Sequence, residues 1–94
     1  MSDARLVRVR GRVQGVGYRW ACVQKARELG IAGWGRNRTD GSVEALLQGS
    51  NEQLDAMCAW MRSDVPGASV SGMDIEDAPA GTPEHGEFRQ VATA

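Results

Sequence analysis

The chain has 94 residues, of which 41% are hydrophobic and 24% are charged, and its formal net charge is −1. A chain of this length closes one hydrophobic core, so we predict a single domain over residues 1–94, with its core at about residues 5–91. The near-neutral charge excludes a general attraction to nucleic acid or to anionic membranes, so any anion site must be local.

The N-terminal segment MSDARLVRVR lacks the apolar centre of a signal peptide. No run approaches the roughly 18 apolar residues that a membrane-spanning helix needs. We therefore expect a soluble, cytoplasmic protein. Cys22 and Cys58 form no CxxC pair and His85 is the only histidine, so no metal site is predicted. We expect two buried thiols in a reducing compartment, with one disulfide as the open alternative.

The first predicted element is a strand from Arg5 to Val13. Val7 and Val9 alternate with Arg8 and Arg10, which is typical of a strand with one buried face. A helix of about three turns follows the glycine-rich loop, because apolar residues recur at spacings of three and four before a glycine that can cap the helix. These positions are Tyr18, Cys22, Ala26, Leu29 and the cap Gly30.

Two antiparallel strands are predicted next, IAGWGRNR and SVEALLQG, on either side of a tight turn at Asp40-Gly41. A second helix begins at Ser50 or Asn51 and ends before Pro66-Gly67. Ser69 to Glu76 alternates as a strand, APAGTPEHG is a loop, and Glu87 to Val91 is a short closing strand.

The order β-α-β-β-α-β, with or without a fifth strand at the end, predicts an α+β fold of the ferredoxin-like type. It is a two-layer sandwich in which an antiparallel sheet carries both helices on one face. The fold alone assigns no activity.

The loop GRVQGVGYRW joins the first strand to the first helix. Its glycines, Gly11, Gly15 and Gly17, allow a sharp turn whose N–H groups add to those of the helix N-terminus, which suits a phosphate-sized anion. Arg19 lies at this junction and can hold two phosphate oxygens at once. The alternative is that these glycines serve turn geometry alone, since the loop fits neither common nucleotide-binding pattern.

The motifs GRVQGVGYR and GWGRNRTDGSVE closely resemble the two signature motifs of the acylphosphatase family. The resemblance extends from about Arg5 to Val91 and is strongest before Gly49. It implies a ferredoxin-like enzyme that hydrolyses the carboxyl-phosphate bond of acyl phosphates without a metal or other cofactor. Its partner would be a small-molecule substrate, with no nucleic acid and no membrane, and we expect a monomer.

The resemblance also implies residue roles. Arg19 matches the family's phosphate-binding arginine, and Asn37 matches the asparagine that positions the attacking water. Strand alternation places Asn37 on the helix-covered side, although an asparagine before Asp40-Gly41 can also serve the hairpin. The backbone amides expected to bind phosphate are those of Gln14, Gly15, Val16, Gly17 and Tyr18.

The sequence offers no Ser-His-Asp set and no convincing carboxylate pair. An acyl phosphate has a good leaving group, so hydrolysis depends chiefly on positioning and on charge stabilisation. The proton of the water has no obvious protein acceptor, and we expect the substrate's own phosphate oxygen to take it, in agreement with the mechanism proposed for the family.

Two other functions stay open. One is a module that binds acyl or carbamoyl phosphate without hydrolysing it, like acylphosphatase-like domains within larger proteins. The other is RNA binding by an arginine-rich sheet face, although SVEALLQG lacks the aromatics of an RRM strand and Glu44 can pair with these arginines. The face comprises Arg8, Arg10, Arg12, Arg36 and Arg38 with Trp34.

We expect the remaining large side chains to serve packing rather than ligand binding. They are Trp20, Trp60, Met57 and Met61. His85 lies in a loop and is assigned no role.

Overall fold

The computed structural model describes residues 3–15, 17–79 and 81–93. The elements occur in the predicted order, and the closing strand is present. They are β1 (Asp3–Arg12), α1 (Tyr18–Leu29), β2 (Ala32–Asn37), β3 (Val43–Gly49), α2 (Asn51–Ser63), β4 (Ser69–Asp77) and β5 (Phe88–Gln90).

The five strands form one sheet in the order β4-β1-β3-β2-β5. The first four pair antiparallel, as predicted for the ferredoxin-like sandwich. β5 instead runs parallel to β2, with Phe88 opposite Gly33, so the sheet as a whole is mixed. The two strands stay in register because the Gly33 N–H donates to the Glu87 carbonyl and the Val91 N–H donates to that of Gly35.

One face of the sheet carries both helices and the hydrophobic core. Val7 and Val9 of β1 are fully buried, as the strand alternation predicts, and Leu47 of β3 lies beside them. From the helical layer, Tyr18 and Met61 close the core, and the Tyr18 hydroxyl donates a 2.8 Å hydrogen bond to the Met61 carbonyl. This bond joins the first turn of α1 to the last turn of α2, which fixes how the start of α1 sits on the sheet.

The end of α1 and the start of α2 are capped by the residues that the sequence predicts. Gly30 caps α1 in the left-handed conformation at φ 76°, and its N–H reaches the carbonyls at the end of the helix. Ser50, one of the two predicted starts, caps α2 in a capping box with Gln53.

Cys22 and Cys58 are both buried free thiols, so the disulfide alternative is not realised. Burial raises the pKa of Cys22 to about 12, and burial also raises the pKa of Cys58 despite the nearby Arg5. Both thiols therefore stay protonated near neutral pH. In the described part of the chain, no helix combines the length and apolar character needed to cross a bilayer.

Candidate active site

A pocket of about 240 Å³ lies where β1 ends and α1 begins. It brings together residues from the glycine loop, the start of α1, the end of β2 and β5. The lining residues are Val13, Gly15, Gly17, Tyr18, Arg19, Trp20, Asn37 and Gln90. Residues far apart in the sequence thus meet at one mouth, including both predicted catalytic side chains.

The loop backbone has the conformation that the glycines predict. Gly15 and Gly17 both have positive φ, at 76° and 77°, where residues with a Cβ are strained. Gly17 is the N-cap of α1, and no described side chain caps this helix, so the N–H groups of its first turn are available to a ligand. No turn or loop backbone hydrogen bond of the described chain uses the N–H of Gln14, Gly15 or Gly17. Val16, also expected to contribute an amide, lies outside the described residues.

Gly11 does not belong to this loop. It lies within β1 at the register shift against β4, where an added Cβ would come within 2.2 Å of the Ser69 carbonyl oxygen. The expectation that Gly11 helps to shape the anion cradle is therefore wrong, because its glycine requirement comes from the close approach of a neighbouring strand.

Arg19 occupies the first turn of α1 and is partly exposed at the pocket. Among residues 3–15, 17–79 and 81–93, no carboxylate forms an ion pair with its guanidinium. A cation in the first turn opposes the helix dipole by about 0.3–1 kcal/mol unless an anion binds there. The free guanidinium and the open helix N-terminus therefore favour the same anionic ligand.

Asn37 ends β2 and lines the same pocket, on the helix-covered side as strand alternation predicts. The hairpin beyond it is held by other groups: the Asp40 carboxylate accepts from the Ser42 hydroxyl and N–H, and the Arg38 N–H donates to the Ser42 carbonyl. The Asn37 side chain takes part in no side-chain hydrogen bond between described residues, so its amide is available to a ligand or a water. The hairpin alternative for Asn37 is thus not supported.

Three residues that line the pocket were not among the predicted site residues: Val13, Trp20 and Gln90. Gln90 reaches the pocket only because β5 pairs with β2, which no local pattern predicts. Trp20 was expected to pack, and this is wrong: the residue is 62% exposed. Its position between Tyr18 and Cys22, both on the buried stripe of α1, was a usable signal for outward orientation. Trp60, by contrast, packs against the core as predicted.

The other face of the sheet is organised around Glu44, which is 1% exposed. Arg8 donates to its carboxylate at 2.7 Å, Arg36 at 2.8 Å and Arg38 at 3.2 Å. Burial raises the pKa of Glu44, but hydrogen bonds from Arg8 and Arg36 outweigh this, so the net shift is downward. Because these arginines are bound to Glu44 within the protein, the structure favours a face of paired surface charges over an RNA-binding face.

A larger depression of about 530 Å³ opens at the other end of β1. Its charged lining comes from Asp3 and Glu84, and it contains no arginine or lysine, so it does not suit an anionic substrate. In the described ranges, no three His, Cys, Asp or Glu side chains come close enough together to hold a metal ion. The pocket at Arg19 is therefore the candidate active site.

The fold and this pocket together define a small α+β protein with an anion cradle at a strand-to-helix turn. The Acylphosphatase family model matches residues 5–89. The chain is 58% identical over 89 residues, 95% of its length and 87% of the relative's, to Acylphosphatase 1 of Ralstonia nicotianae. It is 51% identical over 95% of its length, and 88% of the relative's, to an acylphosphatase of Polaromonas naphthalenivorans.

A solved structure of an acylphosphatase from Coxiella burnetii superposes with a TM-score of 0.88 at 30% identity, covering 96% of this chain and 93% of that one. The chain belongs to the acylphosphatase family. The enzyme class implied by its two motifs is thereby confirmed.

Proposed function

We propose that this acylphosphatase cleaves the carboxyl-phosphate bond of acyl phosphates with Arg19 as the phosphate-binding and Asn37 as the water-positioning residue. The observation that carries the proposal is their convergence: a guanidinium and a side-chain amide that bind no other described side chain meet at a helix N-terminus in one small pocket. These are the groups that hydrolysis of an activated phosphoanhydride requires.

The phosphate binds to the loop amides and to Arg19. The N–H groups of Gln14, Gly15, Val16, Gly17 and Tyr18 supply the amide donors. Arg19 contributes two parallel hydrogen bonds to one phosphoryl group, each charge-assisted and worth about 1.5–3 kcal/mol. Because the amide donors belong to the backbone of the loop, they stabilise the charge of the transition state with little reorganisation.

Asn37 holds the nucleophile. Its side-chain oxygen accepts a hydrogen bond from the water and its NH₂ group donates to a phosphate oxygen, so the water is directed toward phosphorus. A neutral amide suits this place because a carboxylate would repel the phosphate dianion.

The water oxygen bonds to phosphorus as the bond from phosphorus to the acyl oxygen breaks, and the electron pair leaves with the carboxylate. A phosphate oxygen of the substrate takes the proton of the water. A dianionic acyl phosphate and water thus give one carboxylate and one dihydrogen phosphate, and neither atoms nor charge are left over. The leaving carboxylate is a weak base, so the step needs neither a protein acid nor a metal.

The test compares benzoyl phosphate hydrolysis and inorganic phosphate affinity in the wild type, Arg19→Gln and Asn37→Ala. Arg62→Gln, an exposed arginine on α2, is the matched charge control. Loss of Arg19 is expected to weaken phosphate binding and to lower kcat/KM by about 100-fold or more. Loss of Asn37 is expected to retain phosphate binding with little turnover.

Wild-type rates in either variant would contradict its assigned role. Phosphate binding by the wild type without any turnover would favour a non-catalytic acyl or carbamoyl phosphate-binding module. Full turnover after exhaustive treatment with EDTA is expected, and its loss would contradict metal independence.

We further propose that residues 1–94 act as one monomeric domain in the cytoplasm. The buried free thiols of Cys22 and Cys58 support a reducing compartment. Light scattering coupled to gel filtration tests the monomer, for which a mass of about 10.1 kDa is expected. A mass of twice that value would contradict it, and recovery outside the cytoplasmic fraction of cells would contradict the location.

A further inference from the structure

We propose that Trp20 forms the acyl-binding surface of this pocket and that the enzyme therefore prefers aromatic acyl groups to an acetyl group. The inference rests on the proposed function, and it adds the part of the substrate that the phosphate cradle does not recognise. Trp20 is 62% exposed and lines the same pocket as Arg19 and Asn37.

The orientation of Trp20 follows from the helix. Tyr18 is 1% exposed, and its hydroxyl is bound to the Met61 carbonyl, so the first turn of α1 cannot rotate freely. Successive helix residues are about 100° apart, which turns Trp20 roughly 200° away from the buried Tyr18. Arg19 lies between them. The indole is thereby held at the pocket rim beside the phosphate-binding guanidinium.

The direction of the acyl group follows from the shape of the pocket. Val13 and Tyr18 are buried and form its inner wall, and its volume of about 240 Å³ is small for a ligand site. With the phosphoryl group on the loop amides and a water beside Asn37, the acyl group must extend toward the mouth. Trp20 and the exposed Gln90 are the residues of the lining available there.

Among the described residues, the Trp20 indole neither packs against the hydrophobic core nor has a cation over its ring. Trp34, on the opposite face of the sheet, has the Arg36 guanidinium over its ring at 4.8 Å, and Trp60 packs against the core. Trp20 has neither kind of contact. An exposed aromatic face at the mouth of an anion pocket can stack on a benzoyl group, whereas acetyl offers it only a methyl.

The test measures binding of two non-hydrolysable analogues by calorimetry, phenacylphosphonate for benzoyl phosphate and acetonylphosphonate for acetyl phosphate. We expect the wild type to prefer the aromatic analogue. In Trp20→Ala the loss of affinity for phenacylphosphonate should exceed that for acetonylphosphonate by about threefold to tenfold, while Trp20→Phe keeps most of the preference. Trp34→Phe is the matched control and should leave the preference unchanged.

The inference is overturned if Trp20→Ala keeps the wild-type preference, or if it weakens both analogues equally, as a role in packing or in contact with another protein would require. Turnover separates this result from the proposed function. If the wild type hydrolyses acetyl phosphate and Trp20→Ala keeps the wild-type preference for phenacylphosphonate, only the proposed acyl-binding surface is rejected. Selective analogue binding without hydrolysis of any acyl phosphate rejects only the catalytic proposal.

Discussion

The Gln14 side-chain amide lies 2.9 Å from the carbonyl oxygen of Arg38, the residue that follows Asn37, and donates a hydrogen bond to it. A second bond from the same nitrogen reaches the Ser42 carbonyl at 2.8 Å. One side chain thus ties the glycine loop to the hairpin that carries Asn37. In the proposed mechanism the loop binds the phosphate and Asn37 binds the water, so this bridge would set the distance between the two reactants.

Replacement of Gln14 by leucine is therefore expected to lower kcat more than it weakens phosphate binding. The loop amides remain, but a shift of about 1 Å between loop and hairpin can cost roughly 100-fold in rate. Steady-state kinetics with benzoyl phosphate and inhibition by inorganic phosphate measure the two effects separately. Gln24→Leu, on the exposed side of α1, is the control. An equal fall in kcat and in phosphate affinity would instead mean that the loop itself has collapsed.

Replacement of Asn37 by aspartate is expected to be worse than replacement by serine. Aspartate is similar in size to asparagine and serine is smaller, so neither replacement adds bulk. The aspartate carboxylate, however, adds a negative charge beside the phosphate dianion and cannot donate a hydrogen bond while ionised. We expect weaker phosphate binding in Asn37→Asp alone, measured by titration calorimetry. The deficit should narrow in acid, where the carboxyl becomes protonated. Equal phosphate affinities at neutral pH would place Asn37 away from the bound anion.

Removing the Tyr18 hydroxyl is expected to destabilise the fold. In Tyr18→Phe the buried Met61 carbonyl loses its 2.8 Å donor, which costs about 1–3 kcal/mol of unfolding free energy. Urea unfolding followed by circular dichroism measures the loss. Since the same bond orients the first turn of α1, kcat/KM should also decrease under conditions where the variant is fully folded. Unchanged stability would show that the bond contributes nothing net.

Glu44→Gln is expected to reduce the unfolding free energy by roughly 2–4 kcal/mol. The change removes the charge on which three arginines converge, and the partial exposure of those arginines keeps the cost below that of a fully buried ion pair. Glu28→Gln, whose side chain is 70% exposed, is the matched control and should stay within about 0.5 kcal/mol of the wild type. Activity should be retained, because Glu44 lies on the face opposite the pocket.

The stability that the ion pairs of Glu44 contribute should depend on pH in a defined direction. The pKa of Glu44 is lowered in the folded state from its ordinary value of 4.5, so its contribution to stability is complete above pH 4.5 and is lost as the pH falls through the lowered value. The difference in unfolding free energy between wild type and Glu44→Gln should therefore shrink below pH 4.5. A difference that stays constant down to pH 3 would contradict the ion-pair explanation.

Much of the fold could be predicted because its signals are local. The spacing of Tyr18, Cys22 and Ala26 together with Gly30 defined α1, and Asp40-Gly41 marked the hairpin. Arg19 and Asn37 lie in continuous motifs, so the candidate site could be proposed before any contact was known. The anion cradle could be predicted because Gly15 and Gly17 allow positive φ, and this backbone conformation depends on the loop sequence alone.

Other features could not be predicted because they depend on partners that are distant in the chain. Nothing near Gln14 indicates that its amide will bind the Arg38 carbonyl, and the parallel pairing of β5 brings in Gln90 from the far end. Gly11 carried a misleading signal, since glycine is required there by the approach of β4 rather than by a ligand.

From the sequence alone came the order of elements, the buried face of β1, the apolar stripe of α1 and the chemistry available at the end of β1, because periodicity and glycine backbone geometry act over a few neighbouring residues. Only the tertiary structure decided that the arginine at the pocket has no carboxylate partner among the described residues, while others are paired. Arg8, Arg36 and Arg38 meet the buried Glu44 across the sheet, whereas Arg19 meets no described carboxylate. Charge pairing depends on distance in space, and that distance is set by the packing of strands and helices rather than by position along the chain.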